Sequence, residues 1–240
     1  MIINGDSVWF VPPTSRYGLS KVSSRHLTNS DFTFLCQIKV DWSKLKENSN
    51  TQEAAVMIKN GKHLGISVAK TGDNFRIVKG AVWVETETPE EKGICQIVIP
   101  LNDVINTPDI SEEYINLVFS YDIINQKLQL IVNDRKKIID VPNKLIDYNS
   151  SWLWIGCANP LENSSIEHRH HFFGEYKLIG VYQKYLTDYE IKDAFAKIII
   201  PEHKPIAYYD FNETTPYKIL DITNNGNNLN KYDKEWMDSN

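Results

Sequence analysis

Cysteine is scarce in this chain of 240 residues, and the three present stand far apart. Cys36, Cys95 and Cys157 are odd in number, and no pair has the C-x-x-C spacing of zinc sites and dithiol redox motifs. Each falls in an apolar stretch, so buried free thiols are expected. With them goes a reducing compartment: cytoplasmic if the chain starts natively at Met1, undetermined if it was cut from a longer exported protein. No apolar run approaches the length of a membrane-spanning helix. Met1 to Asp6 lack the basic and apolar regions of a signal peptide. Clustered positive charge is also missing. The net charge is −5, and the longest basic run is Arg135-Lys136-Lys137, which the pattern places at a solvated hairpin turn. Nucleic acid is therefore a poor partner. No G-x-S-x-G, P-loop or G-x-G-x-x-G occurs, so the common nucleophile and nucleotide motifs are absent.

Hydrophobic residues make up 42% and aromatics 11%, enough for a sizeable core and against global disorder. Asparagine, isoleucine and lysine are heavily used, in keeping with a bacterial source. The apolar residues alternate with polar ones. Phe32, Phe34, Cys36, Ile38 and Val40 form one face of a strand. The stretches 54–58 and 64–69 flank Asn60-Gly61, a strong hairpin signal. The stretches 75–78 and 81–85 flank Lys79-Gly80, which predicts another turn. Strands are also expected at 94–99, 114–122, 127–133 and 152–156, with Leu128, Leu130 and Val132 on one side. About a dozen short strands and no internal repeat argue for an all-β sandwich.

The richest stretch runs from Phe173 to Ile191. Tyr176, Leu178, Gly180 and Tyr182 alternate with Ile179 and Val181, so both faces of this strand are apolar and both should be covered. Thr187-Asp188-Tyr189-Glu190 has capping-box spacing, and Ile191, Ala194, Phe195 and Ile198 follow at helical spacing. A strand, a turn and a short helix in this order resemble the end of a laminin G-like, concanavalin A-like jelly roll. The family pattern F-x-G-x-I-D, then an aromatic, then L-S/T-x-x-E-I is approached by Phe172-Phe173-Gly174-Glu175-Tyr176-Lys177, Tyr182 and Leu186-Thr187-Asp188-Tyr189-Glu190-Ile191. Asp31 to Lys39, Tyr121-Asp122 with Leu128 to Asp134, and Trp152 to Gly156 are similar to further strands of the pattern. The family's acidic residue is Lys177 here. The resemblance implies an antiparallel two-sheet jelly-roll sandwich with one short helix near the C-terminus.

The tail departs from the family order. Tyr208-Tyr209-Asp210-Phe211-Asn212-Glu213 and Asp221-Ile222-Thr223-Asn224-Asn225-Gly226-Asn227 resemble segments that begin the family's domain, yet here they come last. Two explanations fit: the sandwich is circularly permuted, or the tail begins a following module. The corresponding division is a core at 1–198, a linker at 199–205, a completing strand and Asn-rich turn at 206–232, and a tail at 233–240. Tyr209, Phe211 and Leu220 are the expected core residues of the completing segment.

Candidate sites are few. The resemblance implies calcium at Asp221 and Asn224, where the turn is dense in oxygens. Lys177 would place an ammonium beside that ion, so a Lys177–Asp221 ion pair competes with the metal. Glu167-His168-Arg169-His170-His171 could hold zinc or nickel, but no second cluster supports it, and a solvated loop is favoured. Glucanases of this fold carry E-x-D-x-x-E on one strand, and that triplet is missing. Asp188 and Glu190 are explained by helix capping, and Glu85, Glu87, Glu90 and Glu91 by an exposed loop. Trp152 and Trp154 are expected in the core. Trp83, between Val82 and Val84, is the candidate for stacking on a sugar ring, with Arg76 and Glu85 as its expected neighbours.

These residues and the resemblance together point to a non-catalytic carbohydrate-recognition module without a cofactor, accessory to a glycan-processing or glycan-synthesising protein. Its partners would be a glycan and a catalytic domain of the same protein. The alternative is a protein-interaction or spacer domain of a larger enzyme, and after it a glycoside hydrolase with an atypical site.

Overall fold

Alternation of apolar and polar residues is carried into two antiparallel sheets. The computed structural model describes residues 2–4, 8–11, 30–43, 45, 52–59, 64–71, 75–86, 92–101, 113–145, 153–156, 172–212 and 218–232. The first sheet has seven strands. Its path is β1 (Ile2–Asn4), β12 (Phe173–Tyr182), β3 (Phe32–Val40), β8 (Ile115–Asp122), β9 (Lys127–Val132) and β10 (Arg135–Asp140), and β13 (Pro205–Asp210) also pairs with β12. The second has eight, in the order β14 (Lys218–Ile219), β15 (Leu229–Tyr232), β2 (Val8–Val11), β11 (Leu153–Ile155), β4 (Gln52–Lys59), β5 (Leu64–Thr71), β6 (Phe75–Glu85) and β7 (Lys92–Pro100). The fold is an all-β jelly-roll sandwich, with one α-helix among the described residues, α1 (Asp188–Phe195).

The core lies between the sheets. Phe32, Phe34, Cys36 and Ile38 of β3 meet Ile66, Val68, Val78 and Val82 of β5 and β6. Tyr176 spans the gap, its hydroxyl donating to the Val56 carbonyl of the opposite sheet at 2.6 Å. A tyrosine buried this deeply needs such a partner for its O–H.

The predicted turn at Lys79-Gly80 is instead the middle of one continuous eleven-residue strand, β6. Gly80 faces inward, and a Cβ there would lie 2.4 Å from the Phe119 ring. The glycine makes room for an aromatic ring of the facing sheet and does not mark a turn.

A second departure concerns β12. Its pairing with β3 shifts register between Tyr176 and Leu178. This bulge reverses the alternation, so Tyr176 joins Ile179 and Val181 in the central core, while Leu178 and Tyr182 face outward. The outward face is covered, as both-sided apolarity requires. Leu35, Val118, Leu178, Tyr182 and Tyr208 pack beneath Ile191 and Ala194 of α1.

Thr187 caps α1 by accepting from the Glu190 N–H, and the Glu190 carboxylate accepts from the Thr187 N–H at 2.9 Å. Partial burial pushes the Glu190 carboxyl up, but hydrogen bonds from Lys184 and Thr187 outweigh it and hold the group below its ordinary range. The helix stops at Phe195, so the expected stripe is cut short and Ile198 is 50% exposed.

Within the connection at 199–205 only His203 is buried. Pro201–His203 form a 3-10 turn, and buried His203 lies 3.5 Å from Glu190. Ile219, not Leu220, faces the core, because β14 presents alternate residues inward; Tyr209 and Phe211 are buried. Of the thiols, Cys36 is fully buried. Cys95 is only partly so, because it sits on edge strand β7. Arg135, Lys136 and Lys137 open edge strand β10, where Lys136 pairs with Asp188 at 2.7 Å.

Candidate functional site

Among the described residues, α1 covers Leu35, Val118, Leu178, Tyr182 and Tyr208 of the seven-stranded sheet, and a cleft lies on the outer face of the eight-stranded sheet. There β4, β5, β6 and β7 lie side by side. Ala55, Gly65 and Ala81 face outward from three adjacent strands, with Gly65 opposite Ala81 and Ser67 opposite Ala55. Such small residues leave a depression of about 180 Å³ in the sheet surface.

A bulge shapes its floor. The pairing of β4 with β5 shifts between Ala55 and Met57. Val56 and Met57 both turn into the core, and Ile58 turns outward to pack with Ala55. Gly65 permits this, since a Cβ there would lie 2.3 Å from the Met57 carbonyl oxygen and 2.8 Å from the Ile58 Cα.

One end of the cleft is polar. Ser67 Oγ donates to Glu53 Oε1 at 2.5 Å, and Lys79 Nζ donates to Glu53 Oε2 at 2.5 Å. The carboxylate is thus gripped on both oxygens. The ion pair is largely shielded, Lys79 being 23% and Glu53 25% exposed. The other end is apolar. Trp83 of β6 stands opposite Ile94 of β7, which is 57% exposed; between the two ends, Gln96 lies opposite Ala81. Lys79 and Trp83 share a strand face, separated along it by roughly 13 Å.

Trp83 lines this cleft. Arg76 does not join it. Seven positions along β6 it lies on the inward face, with its guanidinium 5.3 Å from the centre of the Trp42 ring. Glu85 shares the outward face of Trp83. It is the exposed last residue of β6, its N–H donating to the Lys144 carbonyl, rather than part of a loop.

Asp221 is buried in the Asn-rich turn. Its Oδ1 accepts from the Tyr208 and Thr223 N–H groups and the Thr223 hydroxyl, and its Oδ2 from the Asn227 N–H. Asn224 is exposed and left-handed, with φ 64°. The expected Lys177–Asp221 pair is not formed. The β12 bulge turns Lys177 outward, its ammonium 5.5 Å from the centre of the Tyr114 ring. The histidines of 167–171, Glu87, Glu90, Glu91, Trp152 and Cys157 lie outside the described residues, as does the Trp154 side chain. Among the described residues no group of three or more His, Cys, Asp or Glu side chains could hold a metal.

Glu53, Ser67, Lys79 and Gln96 were not singled out by the sequence. One signal was present: Gly65, Ser67 and Ala69 alternate with Leu64, Ile66 and Val68, which marks an outward face of small residues. The assembled cleft offers apolar surface at one end and hydrogen-bond donors and acceptors at the other.

No protein-family model matches the chain, and no curated protein matches it. Solved structures do. A candidate carbohydrate-binding protein from Bacteroides ovatus ATCC 8483 aligns with TM-score 0.54 and 16% identity over 84% of this chain. The chain spans about half of that protein, 52% of its length. The CBM40 module of the Ruminococcus gnavus IT-sialidase aligns with TM-score 0.53 and 13% identity, over 81% of this chain and 95% of the module. The same module bound to α2,6-sialyllactose aligns with TM-score 0.53 and 14% identity, over 80% of this chain and 93% of the module. At these identities the likeness is one of fold.

Proposed function

We propose that this chain is a non-catalytic carbohydrate-recognition module, a laminin G-like, concanavalin A-like sandwich that takes a sugar into the cleft at Trp83. The observation that carries this is the pairing, on the open sheet face, of an aromatic and aliphatic end with a polar end. Pyranoses have the same division, with axial C–H groups that suit an aromatic face and hydroxyls that need hydrogen bonds. The similar fold of a sialidase-associated module supports an accessory role beside a glycan-processing enzyme. Glycoside hydrolysis uses two flanking carboxyl groups. Among the described residues lining the cleft Glu53 is the only carboxylate, and both its oxygens are already engaged.

A glycan array and titration calorimetry with Trp83→Ala test this. Trp83 is half-buried on the outer face, so its loss should weaken sugar binding by about 1–2 kcal/mol with little change in melting temperature. A parent protein that binds no glycan, together with a large fall in melting temperature on Trp83→Ala, would favour the protein-interaction alternative.

A further inference from the structure

The charge state of the cleft bears on which sugars it accepts. Lys79 is the only cationic residue among the described residues lining it. Its ammonium is not available as a lone positive charge, because Glu53 Oε2 lies 2.5 Å away and the Ser67 hydroxyl fixes the other carboxylate oxygen. The three side chains come from three adjacent strands, β4, β5 and β6, whose register is set by the bulge at Ala55/Met57 and by Gly65. The pairing is therefore built into the sheet.

A carboxylate or sulfate entering this cleft would meet Glu53 together with Lys79. It would have to break the pair or lie against a like charge, and either is unfavourable where solvent is partly excluded. A hydroxyl faces no such conflict. An ammonium has three N–H donors, and Glu53 takes one. The Gln96 amide nearby supplies both a donor and an acceptor.

Resting on the carbohydrate assignment above, we infer that the cleft selects neutral glycans over sialylated, uronic-acid or sulfated ones, and that the Glu53–Lys79 pair is its specificity determinant. The chain would thus differ in ligand class from the CBM40 module determined with sialyllactose. Hydroxyl-rich neutral rings bind with their hydroxyls towards Lys79 and towards Gln96, which lies midway along the cleft, and with their apolar surface towards Trp83 and Ile94.

The test uses the full chain on an array of neutral and anionic glycans. Calorimetry follows on the best neutral binder and on α2,6-sialyllactose, at low and at high salt. The parent should bind neutral glycans with an affinity that barely changes with salt, since no net charge is read. Glu53→Gln removes the counter-charge and keeps the shape. It should raise affinity for the anionic glycan about tenfold, and that gain should vanish at high salt.

Anionic glycans preferred by the parent would overturn this inference and leave the carbohydrate assignment intact. So would a neutral-to-anionic ratio that Glu53→Gln does not move. Absence of any glycan binding by the parent would overturn the carbohydrate assignment itself, and the selectivity with it. If Glu53→Gln lowers the melting temperature too far to be used, the salt dependence of the parent decides: affinity falling steeply with salt sinks the proposal.

Discussion

Asp221 sits where the family resemblance implies a possible but not favoured calcium ligand, and its carboxylate is occupied by its own chain. Three backbone N–H groups and one hydroxyl converge on it, from Tyr208, Thr223 and Asn227. Calcium takes six to eight oxygen ligands, and an oxygen saturated by N–H donors makes a poor one. Chelation should therefore leave the melting temperature unchanged. Asp221→Ala should instead cost about 2–4 kcal/mol, because it leaves buried N–H groups unpaired. Thermal melts with and without EDTA separate the two cases, since a filled site would add about 2.7 kcal/mol at a hundredfold excess over its dissociation constant. A fall with EDTA that calcium but not magnesium reverses would restore the metal. At this scale the sequence is legible where parity alone decides: Val82, Trp83 and Val84 already place the indole opposite the core. A turn at Lys79-Gly80 would break the count of alternate faces and put Arg76 beside Trp83, whereas the continuous strand β6 puts it on the inward face. Glu53, Ser67 and Lys79 were missed for a related reason, since their meeting depends on the register of three strands, and a bulge sets that register.

Hairpins between neighbouring strands were the most readable elements. The pairings of β4 with β5 and of β8 with β9 follow from alternation on either side of turn-forming residues in the sequence; the Asn60-Gly61 turn itself lies outside the described residues. Pairings between distant segments were not, because nothing local records them. β13 runs beside β12, and β15 beside β2, so residues 205–232 contribute strands to both sheets. Tyr208, Tyr209, Phe211, Ile219 and Leu229 are buried there. At about 1.5–3 kcal/mol for each large apolar side chain, their loss rivals the roughly 5–15 kcal/mol of a whole domain. Truncation after Ile200 should therefore give an aggregating or unfolded product, with part of the β12 edge and the floor of α1 uncovered. Circular dichroism melts and size-exclusion chromatography check this. A soluble truncation that melts like the parent would make the tail a separate module.

For the molecule as a whole, the sandwich and its helix were legible from patterning and from the capping box. The order in which distant strands lie side by side was not. That order has a consequence in time. β1 pairs with β12, and β2 lies between β11 and β15, so these two strands find their described neighbours only among segments far downstream in the chain. A nascent chain emerging from the ribosome would hold β2 with one flank open until residue 232 has appeared. Loop closure over such separations precedes the contacts that reward it, so refolding should be slow, in the range of milliseconds to seconds or longer. Stopped-flow tryptophan fluorescence measures this directly, and a microsecond phase carrying the whole amplitude would contradict it. Until β15 docks, β2 presents an open β-edge to any neighbour, and crowding of nascent copies, more than heat, is the hazard this topology creates.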